Sequence, residues 1–254
     1  TTGVLTHITT TQPAIGDDDV IVAGNGFNVI LAGVGADRVT GGTGRDVILG
    51  DNGNATFDST GGNSILRLII STETHIGGND IIYGASGNNL VFGGTGNDAI
   101  ITDGGDDIAL GDSGVGVFNA AGILTYLTTI TPAIGGDDYI NVGHGFNIVF
   151  GGFGKDHVIS GDGVDLVLGD NGHASFDDVG SLISLTTTDH SIGDNDTIIT
   201  SGGDDLIFGG TANDYIDSGS GDDTVFGDFG YFYRGYLTGP HDAYALGGSL
   251  PVAV

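Results

Sequence analysis

Apolar residues recur with a nine-residue period through most of the chain. In the first stretch, Ile21, Ile30, Val39 and Ile48 stand nine positions apart, and Asp or Asn stands two positions before each of them. Glycine-rich segments separate one such apolar position from the next. An apolar side chain flanked by two that point the other way is typical of a short β-strand with one face in a core. The pattern therefore predicts short strands that alternate with glycine-rich turns.

The nonapeptides are grouped into four superrepeats of about sixty residues, which begin near Ile15, Ile76, Ile134 and Ile192. Self-similarity at a fixed period indicates a solenoid. Two nonapeptides would make one coil, so that alternate turns stack on the same side and successive strands pair along the axis. We expect an all-β, right-handed parallel β-roll. Its array would span residues 1–230, with superrepeats near 14–73, 75–132, 133–190 and 191–230, residues 1–13 ending a preceding repeat, and 231–254 forming an aromatic, glycine-rich cap or tail.

Each nonapeptide keeps one polar position, and glycines recur at positions two and four. Its sixth position is Asp or Asn: Asp19, Asn28, Asp37, Asp46, Asp80, Asn89, Asp98, Asp107, Asp138, Asn147, Asp156, Asp165, Asp196, Asp205, Asp214 and Asp223. Glycine at positions two and four permits backbone conformations closed to other residues and lets carbonyl oxygens crowd inward. These glycines are Gly24, Gly26, Gly33, Gly35, Gly42, Gly44, Gly94, Gly96, Gly105, Gly143, Gly145, Gly152, Gly154, Gly161, Gly163, Gly210, Gly219 and Gly221.

The nine-residue period stops after the fourth nonapeptide of each superrepeat. A Gly-Asp-X-Gly corner follows there, with Asp51, Asp112, Asp170 or Asp228 at its second position. These aspartates could add a metal ligand or could form a turn that favours Asp, and the sequence leaves both readings open. The threonine- and β-branched-rich segments that follow, such as residues 122–129, predict strands or a hairpin without a metal motif.

The acidic residues are almost all aspartate, since Glu73 is the only glutamate among 33. Ca²⁺ takes six to eight hard oxygen ligands, and aspartate carboxylates together with peptide carbonyls supply them. Stacked carboxylates repel one another without a cation, so we expect metal binding to be part of folding. With a formal net charge of −28 and five Lys plus Arg, nucleic acid is excluded as a partner. The chain has no cysteine, which excludes disulfides, and no apolar run long enough to span a bilayer. It also has no methionine, and we expect a segment of a longer protein.

The repeats resemble the RTX family, whose nonapeptide is G-G-x-G-x-D-x-U-x. Residues 41–48 and 93–100 match it closely. The resemblance implies several Ca²⁺ ions between stacked turns, held by the position-six carboxylates and by turn carbonyls. It also implies a secreted or cell-surface bacterial protein exported by a type I system. Asn28, Asn89 and Asn147 depart from the pattern; because asparagine offers an oxygen but no charge, we expect those sites to be weaker or to depend on their neighbours.

An apolar strip occupies the outward positions seven and nine of the second and fourth nonapeptides. It comprises Val29, Leu31, Val47, Leu49, Leu90, Phe92, Ile108, Leu110, Ile148, Phe150, Leu166, Leu168, Leu206, Phe208, Thr224 and Phe226. A solvated sheet face would be polar at these positions, so we expect the strip to be buried. The cover would be the threonine-rich segments of the same chain, at least in part, or a neighbouring copy of the repeat.

No residue pattern in the chain predicts catalysis. Gly111-Asp112-Ser113-Gly114 is similar to the nucleophile loop of chymotrypsin-type proteases, but its third position is asparagine in the equivalent corners at Asn52 and Asn171. The seven histidines lack metal-ligand spacing. The sequence favours an extracellular, calcium-binding structural module of an adhesin, filament or surface-layer protein. The alternative is the C-terminal calcium-binding and secretion repeat domain of an RTX enzyme or toxin whose active part lies outside this segment.

Overall fold

The computed structural model describes residues 4–59 and 64–234, which form twenty-four strands numbered here β1 to β24 in chain order. The strands are arranged in three eight-stranded sheets. Within the described residues, no helix is long and apolar enough to cross a membrane.

The first and third nonapeptides of each superrepeat build a parallel sheet, called here the outer sheet. Its strands lie side by side in chain order. They are Val20–Val22 (β2), Arg38–Thr40 (β4), Ile81–Ala85 (β8), Ala99–Thr102 (β10), Tyr139–Asn141 (β14), His157–Ile159 (β16), Thr197–Ile199 (β20) and Tyr215–Asp217 (β22).

The second and fourth nonapeptides build a second parallel sheet, called here the central sheet. Its strands also follow chain order. They are Asn28–Leu31 (β3), Asp46–Leu49 (β5), Leu90–Gly94 (β9), Ile108–Asp112 (β11), Ile148–Phe150 (β15), Leu166–Leu168 (β17), Leu206–Phe208 (β21) and Thr224–Phe226 (β23).

The segments between superrepeats build an antiparallel sheet, called here the hairpin sheet, in the order β1-β6-β7-β12-β13-β18-β19-β24. Its strands are His7–Thr9 (β1), Gly53–Asp58 (β6), Ile65–Ser71 (β7), Gly114–Phe118 (β12), Leu124–Thr129 (β13), Gly172–Phe176 (β18), Leu182–Thr187 (β19) and Tyr231–Tyr233 (β24). The pairs β6–β7, β12–β13 and β18–β19 are hairpins, which confirms that reading of the threonine-rich segments. Strand β24 adds to the sheet three residues that the sequence assigned to a cap or tail; residues 235–254 lie outside the described residues.

Inserting a hairpin does not disturb the register of the parallel sheets. Val39 pairs with Ile21, eighteen residues earlier, and with Ile82, which follows it across a hairpin. Position eight therefore stays aligned along the whole roll. The all-β parallel β-roll predicted from the nine-residue period is confirmed.

Position-eight side chains fill the core between the outer and central sheets. Val39, Ile82, Val149 and Val158 in this core are fully buried. Valine and isoleucine suit position eight because β-branched side chains pack well on a pleated sheet surface that is covered on one face. At the end of the roll the same position is less protected, and Val225 is exposed.

The apolar strip fills a second core, between the central sheet and the hairpin sheet. Phe92, Phe150 and Phe208 have no exposed surface, and they belong to one cluster with Leu127 and Leu185 of the hairpin sheet. The expected cover by the chain's own segments is confirmed for most of the strip, which therefore offers little surface to a neighbouring copy.

The expectation that the whole strip is buried is wrong at its last strand. Thr224 and Phe226 of β23 are exposed, and Val29 and Leu31 of β3 are only half-buried. The reason is position, because β3 and β23 are the two edge strands of the central sheet and each has a neighbouring strand on one side only.

Candidate metal centre

The turns that lead into the outer sheet stack their position-six side chains into a continuous row, called here the aspartate ladder. The main-chain N–H of each member donates to Oδ1 of the next member at 2.7–3.0 Å. The members are Asp19, Asp37, Asp80, Asp98, Asp138, Asp156, Asp196 and Asp214.

The turns that lead into the central sheet form the second row, called here the mixed ladder. Its N–H to Oδ1 hydrogen bonds span 2.7–3.1 Å. Asparagine alternates with aspartate through the first three superrepeats. The members are Asn28, Asp46, Asn89, Asp107, Asn147, Asp165, Asp205 and Asp223. All sixteen predicted position-six residues thus lie in two rows of eight.

Most ladder carboxylates have one oxygen that is buried without a hydrogen-bond partner. Oδ1 is held by the preceding turn, whereas Oδ2 makes no hydrogen bond at eleven members: Asp37, Asp46, Asp80, Asp98, Asp107, Asp138, Asp156, Asp165, Asp196, Asp205 and Asp214. A buried carboxylate oxygen without a partner is strongly unfavourable in a folded protein. A repeated set of such atoms indicates that a cation belongs beside them.

Main-chain carbonyl oxygens lie next to these unpartnered carboxylate oxygens. A Cβ atom at Gly111 would overlap both Oδ2 of Asp138 and the carbonyl oxygen of Gly151, so the two oxygens flank the same point. The same pair of neighbours, a ladder Oδ2 and a glycine carbonyl oxygen, surrounds the Cβ position of five further glycines: Gly50, Gly93, Gly151, Gly169 and Gly209.

These glycines stand at position one of a nonapeptide or at the first position of a corner, and they were not among the predicted site residues. The signal that could have found them is the doubled glycine at positions one and two, as in residues 41–42 and 93–94. Glycine is required at these six residues because a side chain would enter the space between the two oxygens.

At positions two and four, by contrast, the backbone conformation itself requires glycine. Gly42 and Gly44 have φ angles of 111° and 131°, and a Cβ atom on either would overlap the main chain of the preceding coil. The other predicted glycines also have positive φ angles, except Gly161. Gly161 is required for a different reason, because a Cβ atom there would overlap the carbonyl oxygen of Gly143 and Nδ1 of His144.

Burial raises the pKa of the ladder carboxyl groups in the interior of the two rows. The pKa of Asp80 and of Asp196 rises to about 9 because of burial and because of repulsion from neighbouring aspartates. Burial raises the pKa of Asp156 to about 8, and that of Asp107 and Asp165 in the mixed ladder to about 6. The ionised ladder therefore needs compensating positive charge, and the aspartate ladder needs more of it than the mixed ladder.

The donor set fits Ca²⁺. Within the described residues, no three Asp, Glu or His side chains converge as a ready-made metal cluster, so main-chain carbonyls must supply part of any coordination shell. Carboxylate and carbonyl oxygens are the ligands that Ca²⁺ takes, six to eight at a time and in flexible geometry.

The corner aspartates connect successive superrepeats. Oδ1 of Asp112 accepts a hydrogen bond from the N–H of Gly136 at 3.3 Å, and Oδ2 accepts one from the N–H of Phe153. Asp51 accepts equivalent bonds from Gly78 and Thr95. In Asp51 and Asp112 both oxygens are thus used by main-chain donors of the next superrepeat, which favours the turn-forming reading over ligation at these two corners. In Asp170, Oδ2 accepts a bond from the N–H of Thr211, whereas Oδ1 is buried without a hydrogen-bond partner. Ser113 in the protease-like corner is 1% exposed.

A family model for the RTX calcium-binding nonapeptide repeat, in four copies, matches residues 14–48, 32–66, 76–115, 133–167 and 191–230. These matches cover more than half of the chain, and the chain belongs to this family. Its cofactor is calcium, bound at several sites. Comparisons with curated proteins and with solved structures gave no match.

Proposed function

We propose that this chain is an extracellular structural module that folds when Ca²⁺ binds along its two ladders. The carboxylates at position six and the carbonyl oxygens of the glycine-rich turns would hold the ions. The observation that carries the proposal is the set of eleven buried Oδ2 atoms without a hydrogen-bond partner. Bound calcium would supply the positive charge that these oxygens lack, and its binding free energy would become folding free energy.

The architecture supports a spanning or assembling role in an adhesin, filament or surface-layer protein. Each of the first three superrepeats adds two coils and one hairpin, and all three sheets extend in one direction. A solenoid of this kind lengthens by simple addition of repeats. The chain would carry no catalytic residue, and any enzyme or toxin activity would belong to a different part of a longer protein. Export from a bacterial cell would place the module where calcium is plentiful.

Self-association through the apolar strip has little support, because the hairpin sheet of the same chain covers most of it.

The test of the function is folding as a function of calcium. Circular dichroism of the chain in EDTA should show a largely unfolded protein, and added calcium should produce a β-rich spectrum with a cooperative midpoint. Magnesium at the same ionic strength is the control, because it demands octahedral geometry and keeps its waters. A thermally stable, β-rich protein in EDTA would refute calcium-dependent folding.

A further inference from the structure

Two asparagines of the mixed ladder, Asn89 and Asn147, have a fixed amide orientation. Oδ1 of Asn89 accepts the N–H of Asp46 at 3.1 Å, and Oδ1 of Asn147 accepts the N–H of Asp107 at 3.0 Å. Only an oxygen can accept these bonds, so the amide nitrogen Nδ2 must point the other way. Nδ2 therefore occupies the place of Oδ2 in a ladder aspartate.

Each Nδ2 lies among oxygens of two adjacent turns. In Asn89 it donates to the carbonyl oxygens of Ala85 and Gly87 in its own turn, at 3.3 and 3.0 Å, and to Oδ1 of Asp107 in the next coil at 3.0 Å. The carbonyls of Ala85 and Gly87 belong to positions two and four. In a calcium site of the proposed kind, such turn carbonyls would face the ion.

The same arrangement recurs at the other two asparagines. Nδ2 of Asn147 contacts the carbonyl oxygens of Gly143 and Gly145, both at 3.4 Å, and Oδ1 of Asp165 at 2.9 Å. In Asn28, Nδ2 is within 3.4 Å of four oxygens, those of Gly24, Gly26 and Gly41 and Oδ1 of Asp46. Three or four oxygens, including a carboxylate, around one point form an environment suited to a cation.

The fourth superrepeat provides the contrast within the same ladder. Asp205 stands where the first three superrepeats have asparagine, and its Oδ2 is buried without a hydrogen-bond partner. Its N–H still donates to Oδ1 of Asp223, so the stacking of the turns is unchanged. At the ladder position itself, an oxygen stands in place of the amide nitrogen.

We propose that the amide groups of Asn28, Asn89 and Asn147 take the place of calcium at three positions of the mixed ladder, which therefore bind no ion. This inference rests on the proposed function of the ladders. The amide N–H groups bridge oxygens of adjacent turns, as Ca²⁺ would do elsewhere in the ladders. The chain thus binds fewer ions than its nonapeptides suggest, and part of the mixed ladder forms without calcium.

The test exchanges the two residue types and counts calcium. Asn89→Asp and Asn147→Asp should each add one bound ion per chain, and both should raise the calcium concentration at the folding midpoint. Asp205→Asn is the matched reverse change and should remove one ion. Bound calcium is measured by elemental analysis of protein dialysed against calcium, together with titration calorimetry.

The variant Asn89→Ala separates this proposal from ligation by the asparagine oxygen. Under the proposal it lowers stability but leaves the calcium count unchanged. If Asn89→Ala loses an ion, or if both Asn→Asp variants keep the wild-type count, the proposal is overturned while calcium binding by the module stands. A wild-type chain that binds no calcium would instead overturn the proposed function itself.

Discussion

Oδ1 of Asp138 accepts a hydrogen bond from the main-chain N–H of Asp98 at 2.7 Å, although a hairpin lies between the two residues along the chain. The same bond, also at 2.7 Å, joins Asp80 to Asp98 within one superrepeat. Each carboxylate is therefore anchored through one oxygen whether or not a hairpin intervenes. The other oxygen is left facing the carbonyls, and the ladder continues across superrepeat boundaries.

The first prediction concerns the pH dependence of the metal-free chain. Burial raises the pKa of Asp80 and Asp196 to about 9 and that of Asp107 to about 6, from an ordinary value near 3.8. A raised pKa in the folded state means that folding is favoured at low pH and loses stability as the pH rises through the folded-state pKa values. Between pH 5.5 and 8.5, dialysed protein without calcium should therefore lose β-structure, measured by circular dichroism.

Calcium should reverse this pH dependence. With the ion bound, the ladder carboxylates are ionised, so protons compete with calcium and the midpoint calcium concentration should rise as the pH falls. A metal-free spectrum that does not change between pH 5.5 and 8.5 would show that the ladder carboxyl groups are not buried in that state.

The second prediction concerns the position-one glycines. Gly111→Ala places a Cβ atom onto Oδ2 of Asp138 and the carbonyl oxygen of Gly151, so it should remove one calcium ion and lower stability by about 1–3 kcal/mol through overpacking. Gly227→Ala is the matched control, because Gly227 starts the equivalent corner and an added Cβ there would meet no atom within 4 Å. Calcium titration and denaturation of both variants provide the measurement. Equal effects would exclude a specific role for position one.

The period of nine was sufficient to predict both parallel sheets and their shared core. Because Asp or Asn recurs at one phase, the position of Val39 or Ile82 relative to the turn fixes which side chains point inward. The sequence also indicated that Phe92 and Phe150 need a cover, since a solvated strand face would not be apolar.

The pairing between hairpins and the roles of single atoms could not be predicted. Pairing of β7 with β12 joins two hairpins of different superrepeats, whereas the nine-residue period relates only the nonapeptides to one another. The sequence shows asparagine at position 89, but only the stacked turns show that its nitrogen faces the carbonyls while its oxygen faces the N–H of Asp46. The requirement for glycine at position one was not predicted, because it comes from atoms of the neighbouring coil that a Cβ would overlap and not from the φ angle of the glycine itself.

The third prediction distinguishes the two readings of the corner aspartates. Asp112→Asn should weaken the hydrogen bonds from Gly136 and Phe153 and lower stability by about 1–3 kcal/mol, while the number of bound calcium ions stays the same. Asp228→Asn is the control, since Asp228 is the equivalent residue at the exposed end of the roll. Loss of one ion in Asp112→Asn alone would establish the corner as a ligand.

The last prediction concerns the core beneath the hairpin sheet. Phe150 on β15 has no exposed surface and lies in the cluster that contains Leu127 and Leu185 of the hairpin sheet. Replacing it with serine removes a large buried side chain and buries a hydroxyl group, so stability with saturating calcium should fall by about 3–5 kcal/mol. Phe27→Ser is the control, because Phe27 is 45% exposed, and its effect should stay within about 0.5 kcal/mol.

Chemical denaturation in saturating calcium gives both values, and calcium stoichiometry measured alongside should be unchanged in the folded Phe150→Ser protein, since no ladder residue is altered. Particle size should also remain that of the wild type, because the strip is covered within one chain. If Phe150→Ser is as stable as Phe27→Ser, the hairpin sheet does not cover the central sheet in solution. A loss of stability together with a change in particle size would instead indicate that a second chain contributes to the cover.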